Sequence, residues 1–345
     1  MSRKSERYWT DRAEKRMTSY LEAVEKDYNL IAEAYLRASD EIHIEAGKVF
    51  KNFVQFSGVT ENEAIALLKR EPDNVLIKNL RNIASKLLDP EKRKELINII
   101  NSPAYSYRIK RWEELGKNID HWITQLGTTV SRMTATSLTQ IAEQAYYRTI
   151  FDIQQGAGIG FSFSSIPQSR IKQLLRQNWS GTHYSKRIWN NTEQLSQKLK
   201  NELLTGFLTG RSYAKTAANL RQEMASGSMQ CKRIVRTEAN YISNQSELEA
   251  YKECGAKKYI YVATLDLKTS KICRDLDGKR FLIEKAKSGI NFPPMHPWCR
   301  STTIMYFSDA ILQEMQRRAK DPKTGKSILI PADTTYREWY SKFVV

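Results

Sequence analysis

Three residues in the last quarter of this chain have the types and spacing to hold a metal ion. His296 and Cys299 stand in "HPWC", and Cys273 lies 23 residues before His296. A tight turn aims both side chains of such a tetrapeptide inward. Two soft thiolates and an imidazole suit Zn²⁺, which takes four tetrahedral ligands in a structural site. Cys254, Asp266, Asp277 or water are the options for the fourth. The plainer alternative is a buried thiol pair beside a hydrogen-bonded histidine.

The acidic residues around them admit two readings. Asp266, Thr269, Asp275 and Asp277-Gly278 fit turn chemistry, with the glycine supplying a residue at positive φ between strands. A carboxylate pair for acid/base work or Mg²⁺ is the alternative. Glu247 and Glu249 in "SELE" have the E-x-E form of ADP-ribosyl transfer, but they fall in an expected helix, where alternate residues point apart. Arg236 and Glu238 are likewise two apart on that helix, so each is expected to reach outward, tying it to the β residues through ion pairs. "DPKTGKS" imitates the end of a P-loop without its first glycine, and "QQGAGIGFSFSSIPQS" has no strand leading in and no Lys-Ser/Thr after its glycines.

The elements that must position these groups are mostly helical. The 345 residues are 41% hydrophobic and 27% charged, enough apolar material for real cores. Met17, Leu21, Val24, Tyr28, Ile31, Tyr35, Ala38 and Ile42 alternate steps of four and three, a heptad seam on a helix running from about residue 6 into "KVFKNFVQF". That seam either packs against later helices or docks on another protein. Thr60 and Glu63 have capping-box spacing, and Pro72, Pro90 and Pro103 punctuate further helices, with "GTTVSRMTATSLTQ" weakening one stretch. Residues 154–169 read as a loop or hinge. A helix ending near Gly210, another capped by Ser212 and a third ending at Gly255 follow. Only then do β segments come, in "KKYIYVATLD", "GKRFLI" and "STTIMYF", with Cys273 on a turn between them. The tail beyond Ser308 is expected to return to helix, then to a linker and "YREWYSKF". The fold class is therefore α+β, divided as a helical region over 1–153, a hinge over 154–169, a helical domain with a β knuckle over 170–308, and a C-terminal helix and tail over 309–345.

Charge narrows the partners. Lys and Arg number 55 against 38 Asp and Glu, a formal charge of +17. Such an excess favours polyanions. Arg211, Lys215, Arg221, Lys232 and Arg233, with Lys268, Lys271, Arg274, Lys279 and Arg280 around the β segments, form a field suited to phosphates without sequence preference. No stretch approaches the roughly 20 apolar residues of a membrane span, and no secretory leader is evident. Four scattered cysteines fit a reducing compartment rather than a disulfide framework.

The order of the pieces carries more than any one of them. "LTGRSYAKTAANL", "RIVRTEANYISN", "DLKTSKICRDLDGKRF" and "PPMHPWCRS" together resemble the phage head morphogenesis proteins, the minor head or capsid proteins related to the F protein of phage Mu, over roughly residues 184–305. Arg236, Thr237, Glu238, Asp266, Thr269, Cys273, Asp277, Gly278, His296, Pro297, Cys299 and Arg300 stand at that family's characteristic positions. Many relatives have a second cysteine where this chain has Ser270, so a four-ligand zinc site is in question and any metal would be structural. The resemblance implies a non-enzymatic virion protein, made in the host cytoplasm and held in the head interior. Its implied partners are the portal, through the N-terminal seam, other head proteins, and packaged double-stranded DNA, with roles in assembly and ejection. The alternative class is a head-associated enzyme, a nuclease or an ADP-ribosyltransferase.

Overall fold

The computed structural model describes residues 6–51, 56, 58–70, 80–157, 162–306, 316–322, 324–331 and 334–343. Among the described residues, five helices precede residue 158: α1 (Glu6–Lys51), α2 (Glu61–Arg70), α3 (Leu80–Ser85), α4 (Pro90–Asn101) and α5 (Pro103–Ala157). Next come α6 (Gln168–Leu175), α7 (Tyr184–Leu208) and α8 (Tyr213–Glu253). The β module follows as β1 (Lys258–Val262), α9 (Lys271–Leu276), β2 (Arg280–Leu282) and β3 (Thr302–Met305), then β4 (Gln316–Lys320), β5 (Ser327–Pro331) and α10 (Tyr336–Phe343). The α+β class is as expected. Among the described residues no helix is long and apolar enough to cross a membrane, and Cys231, Cys254, Cys273 and Cys299 are free thiols.

Local chemistry sets many boundaries. Thr60 and Glu63 cap α2 reciprocally, the Thr60 amide donating to Glu63 at 2.8 Å and the Glu63 amide to the Thr60 hydroxyl at 3.3 Å. Asp89 caps α4 ahead of Pro90. The α7 helix stops at Gly210 (φ 65°), Ser212 accepts from the Lys215 amide at the start of α8, and Gly255 (φ 73°) ends α8.

Four expectations need correction. The two helices expected between Ser212 and Gly255 are one, because Gly227 lies inside a packed face, where a Cβ would meet Leu195 at 2.9 Å. The Ser/Thr-rich stretch of α5 stays helical, its hydroxyls turning back onto carbonyls four residues earlier, as Thr128 does to Thr124 and Ser137 to Met133. In the tail, β4 and β5 pair as antiparallel strands where helix and then linker were expected, with Ala319 of β4 and Ile330 of β5 buried; residues 309–315, also expected to be helical, lie outside the described residues. Finally, the heptad seam is consumed inside the chain: Met17, Leu21, Val24, Ile31, Tyr35, Ala38 and Ile42 are all buried, so it is not a free docking surface. The glycine-rich hinge is described only in part: α5 runs through its first residues to Ala157, 158–161 lie outside the described residues, and 162–167 are irregular.

The chain forms two compact units interleaved in sequence, Met1–Tyr28, Met133–Lys186 and Lys232–Val345 in one, Asn29–Arg132 and Arg187–Cys231 in the other. Helices α1, α5 and α8 each run through a unit boundary. The second unit is helical and built on aromatic contacts, Trp112 lying 5.5 Å from Phe50 and 5.3 Å from Phe207 between ring centroids. Asp120 there accepts from Ser196 and Lys200.

The first unit carries the antiparallel sheet, in strand order β2-β1-β3, with Ile260 opposite Arg280 and Ile304. Trp9, Ala13, Ile153, Leu248 and Tyr251 pack with Tyr259, Val262 and Ile304 in its core. Beside this core is a buried charge cluster. Arg16 of α1 bonds Asp152 of α5 and, at 3.1 Å, Glu247 of α8, while Arg12 also bonds Asp152 and Thr302 of β3 donates to Glu247 at 3.3 Å. Burial works against the Arg16 charge, but Glu247, Tyr20, Tyr251 and Asp152 keep its pKa raised; burial likewise pushes Glu247 up, against the pull of Arg16. Removing the cation strands a buried carboxylate. Arg16→Met is therefore expected to cost about 3–5 kcal/mol of stability, read as a shift in the denaturant midpoint; a loss under about 1 kcal/mol would deny the cluster this role.

Candidate functional site

The knuckle between β1 and β3 is shaped by three locks. Asp277 at the end of α9 accepts from the Ala263 amide at 2.8 Å and the Tyr336 amide at 3.0 Å, and Gly278 follows at φ 72°, as the Asp-Gly reading expected. Asp266 takes both arms of the Arg300 guanidinium at 2.5 and 2.8 Å, with Thr269 and the Lys268 amide at 3.0 Å. Burial raises the Asp266 pKa, but Arg300 outweighs it and holds the carboxyl below its usual range. The third lock joins α8 to the loop: Thr237 accepts from the Trp298 amide at 3.2 Å, and Arg236 lies 5.5 Å from the Trp298 ring centre.

These locks bring Cys273, His296 and Cys299 together, with potential ligand atoms all within 4.8 Å of one another. Cys273 is in α9 and not on a turn, with Ser270 accepting from its amide at 3.3 Å. The sulfurs are 3.8 Å apart, and Cys273 Sγ is 3.4 Å from His296 Nε2. Around zinc, with bonds of about 2.3 Å to sulfur and about 2.0 Å to nitrogen, tetrahedral corners lie about 3.8 Å apart for a sulfur pair and about 3.5 Å for sulfur and nitrogen. The described separations match both. The imidazole is also set for a metal: Nδ1 is 2.7 Å from the Pro297 carbonyl, which only accepts, so Nδ1 carries the proton and Nε2 presents its lone pair to the sulfurs. Hydrogen bonding from the Cys299 thiol pushes the Cys273 pKa down and that of Cys299 up, so the pair favours one thiolate. The residues therefore fit a thiolate-loving cation at three corners.

The other fourth-ligand candidates are engaged elsewhere. Asp277 and Asp266 are locked as above, and Cys254 packs with the core around Trp9 and Tyr251. Both carboxylates thus hold the backbone and Arg300 in place. Arg236 corrects a further expectation: it pairs with Glu25 of α1 at 2.5 Å rather than with the β residues, and Glu238 accepts from Trp179 at 3.2 Å. The E-x-E residues diverge as expected, Glu247 buried on Arg16, Glu249 on Arg170 and Lys252.

The basic candidates separate by environment. Arg211 pairs with Glu202 and Glu61, Lys232 with Glu25, Arg274 stacks 5.0 Å from the Tyr336 ring centre, and Arg221 sits 3.2 Å from His43 Nε2. Lys215 and Arg233 are exposed. Around the sheet, Lys257, Lys258, Lys268, Lys271, Lys279, Arg280, Lys285 and Lys287 are exposed, against only Asp275 and Glu284 among the exposed acids of that stretch. Of these, Lys257, Lys258, Lys285 and Lys287 were not singled out from sequence, although the same window of basic excess contains them.

Comparison with known proteins agrees with this region. Residues 197–304 match the family described as phage Mu protein F like protein. A curated relative, NAD(+)–arginine ADP-ribosyltransferase EFV of Enterococcus faecalis, is 30% identical over 216 residues, which cover 58% of this chain. The chain spans 42% of that relative's length. No solved structure matches.

The Asp266–Arg300 lock has a testable pH signature. A carboxylate with a lowered folded-state pKa stabilises above its unfolded pKa of about 3.9, and the contribution is lost as pH falls through the folded value. Asp266→Asn is expected to cost about 1–3 kcal/mol at neutral pH. The difference from the wild type should shrink in melts below about pH 4; a penalty unchanged into strong acid would show that charge is not what holds this lock.

Proposed function

We propose that this chain is a phage minor head protein that sits inside the head beside the portal, acts in head assembly, and handles packaged double-stranded DNA up to its ejection. The observation that carries this reading is the block of motifs at 184–305, which overlaps the Mu F-like match. The exposed lysines and Arg280 around the sheet support contact with a phosphate backbone, since they neutralise charge without reading bases. A structural zinc ion held by Cys273, His296 and Cys299 is part of the proposal. When bound, it would fasten α9 to the loop before β3.

A second reading deserves its own test because of the relative named as an arginine ADP-ribosyltransferase. Against it, Glu247 and Glu249 do not converge on a common space. A nuclease is disfavoured because Asp266 and Asp277 are spent on structural bonds. NAD consumption by the purified chain that is abolished in Glu249→Gln would overturn the non-enzymatic assignment.

For the head reading, tagged protein recovered from phage-producing cells should bring down portal and capsid subunits; recovery of nucleic acid alone would demote it. DNA affinity should fall steeply with salt. Replacing Lys268, Lys271, Lys279 and Arg280 together by Gln should flatten the log–log salt slope by up to about 3–4. An unchanged slope would move the DNA contact off this face.

A further inference from the structure

Resting on the zinc reading above, the remaining corner of the site is assigned by Ser270. Its Oγ lies 2.8 Å from His296 Nε2. A hydroxyl has one proton and two lone pairs. Here one lone pair accepts from the Cys273 amide at 3.3 Å, and the proton points to the Nε2 lone pair, since Nδ1 is committed to the Pro297 carbonyl. The second lone pair of the oxygen remains for a further partner.

We infer that the knuckle binds Zn²⁺ reversibly, with Cys273, Cys299 and His296 at three corners and the neutral hydroxyl oxygen of Ser270 at the fourth. Two thiolates balance the charge of the ion, so the set is electrically neutral where Cys273 and Cys299 are buried. A neutral hydroxyl is a weaker ligand for a borderline-soft cation than a thiolate. The ion must also displace the Ser270 proton from Nε2 before the imidazole can bind it. Both features lower affinity relative to an all-thiolate-and-imidazole site. His296 is half-buried, beside exposed Pro297 and Trp298, which leaves the ion a way in and out. Zinc here is a reversible clasp between α9 and the loop before β3, one that senses free zinc.

The test uses the full chain with Co²⁺ and Zn²⁺ as probes, comparing wild type with Ser270→Cys, Ser270→Ala and Cys299→Ser, each checked by circular dichroism for an unchanged fold. Wild type should take up one Co²⁺ with tetrahedral visible bands and sulfur charge-transfer absorption for two thiolates, displaced by Zn²⁺. Ser270→Cys should raise that charge-transfer intensity by about half and hold zinc against a chelator on the order of 10–100-fold more tightly. Ser270→Ala should keep two-thiolate absorption with weaker retention, and Cys299→Ser should lose the tetrahedral signature. If Ser270→Cys leaves both intensity and retention unchanged while wild type binds, the fourth corner is not at Ser270 and the inference is overturned. If neither wild type nor Ser270→Cys binds either ion, the zinc reading itself falls.

Discussion

A guanidinium cannot be buried alone, and Arg16 is buried on a helix whose other buried neighbours are mostly apolar. The unit that carries the knuckle depends on how that charge is met. Asp152 and Glu247 arrive from α5 and α8, and Glu247 in turn receives Thr302 from β3. Four elements from distant parts of the sequence thus share one electrostatic node, and each is held in register by it. Beside the node, α8 turns a polar face inward: Asn240, Ser243, Asn244 and Ser246 are all buried. Asn240 and Asn244 both donate to the Ser301 carbonyl at the entry to β3. A polar interface of this kind contributes less raw stability than an apolar one, but it tolerates few alternative packings.

The knuckle repeats the same logic on a smaller scale. Its strands are too short to define a loop by themselves, with β2 only three residues long. Carboxylates therefore do the shaping. Asp277 gathers two backbone amides that belong to different elements, and Asp266 clamps Arg300 next to Cys299. With the backbone so constrained, two sulfurs and an imidazole nitrogen come within 4.8 Å of one another as a consequence of the fold. The same acids that would look catalytic in a bare list of residues are occupied in shaping the knuckle.

The functional picture joins two kinds of surface. One is the knuckle, matched by a family of phage head-morphogenesis proteins. The other is the basic rim of the sheet, where few exposed acids offset the lysines and Arg280. Several of the arginines that raise the overall charge do not belong to that rim. Arg16, Arg211, Arg236 and Arg300 are each engaged by acidic partners. Net charge alone therefore overstates the surface available to a polyanion, and the position of each cation decides.

Much of this was legible in the residues. The heptad spacing of α1, the capping box at Thr60 and Glu63, the glycines that end α7 and α8, the three strands and the turn at Asp277-Gly278 follow from side-chain period and backbone preference, which act over a few residues. The grouping of Cys273, His296 and Cys299 was also readable, because two of them lie within one turn. The partners were not. Arg16 and Asp152 escaped notice, and Glu247 was read only as part of an E-x-E pair, although Asn240, Asn244, Glu247 and Tyr251 repeat at helical spacing on α8, because a polar seam looks the same whether it faces water or a buried ion. Arg236 was assigned to the wrong neighbour for the same reason. Local sequence determined which elements form and where they stop, through interactions spanning about a turn of helix. Which charges meet and whether the seam of α1 is free or buried were decided only by the tertiary structure, since such contacts join residues far apart in sequence, as Arg16 and Glu247 are.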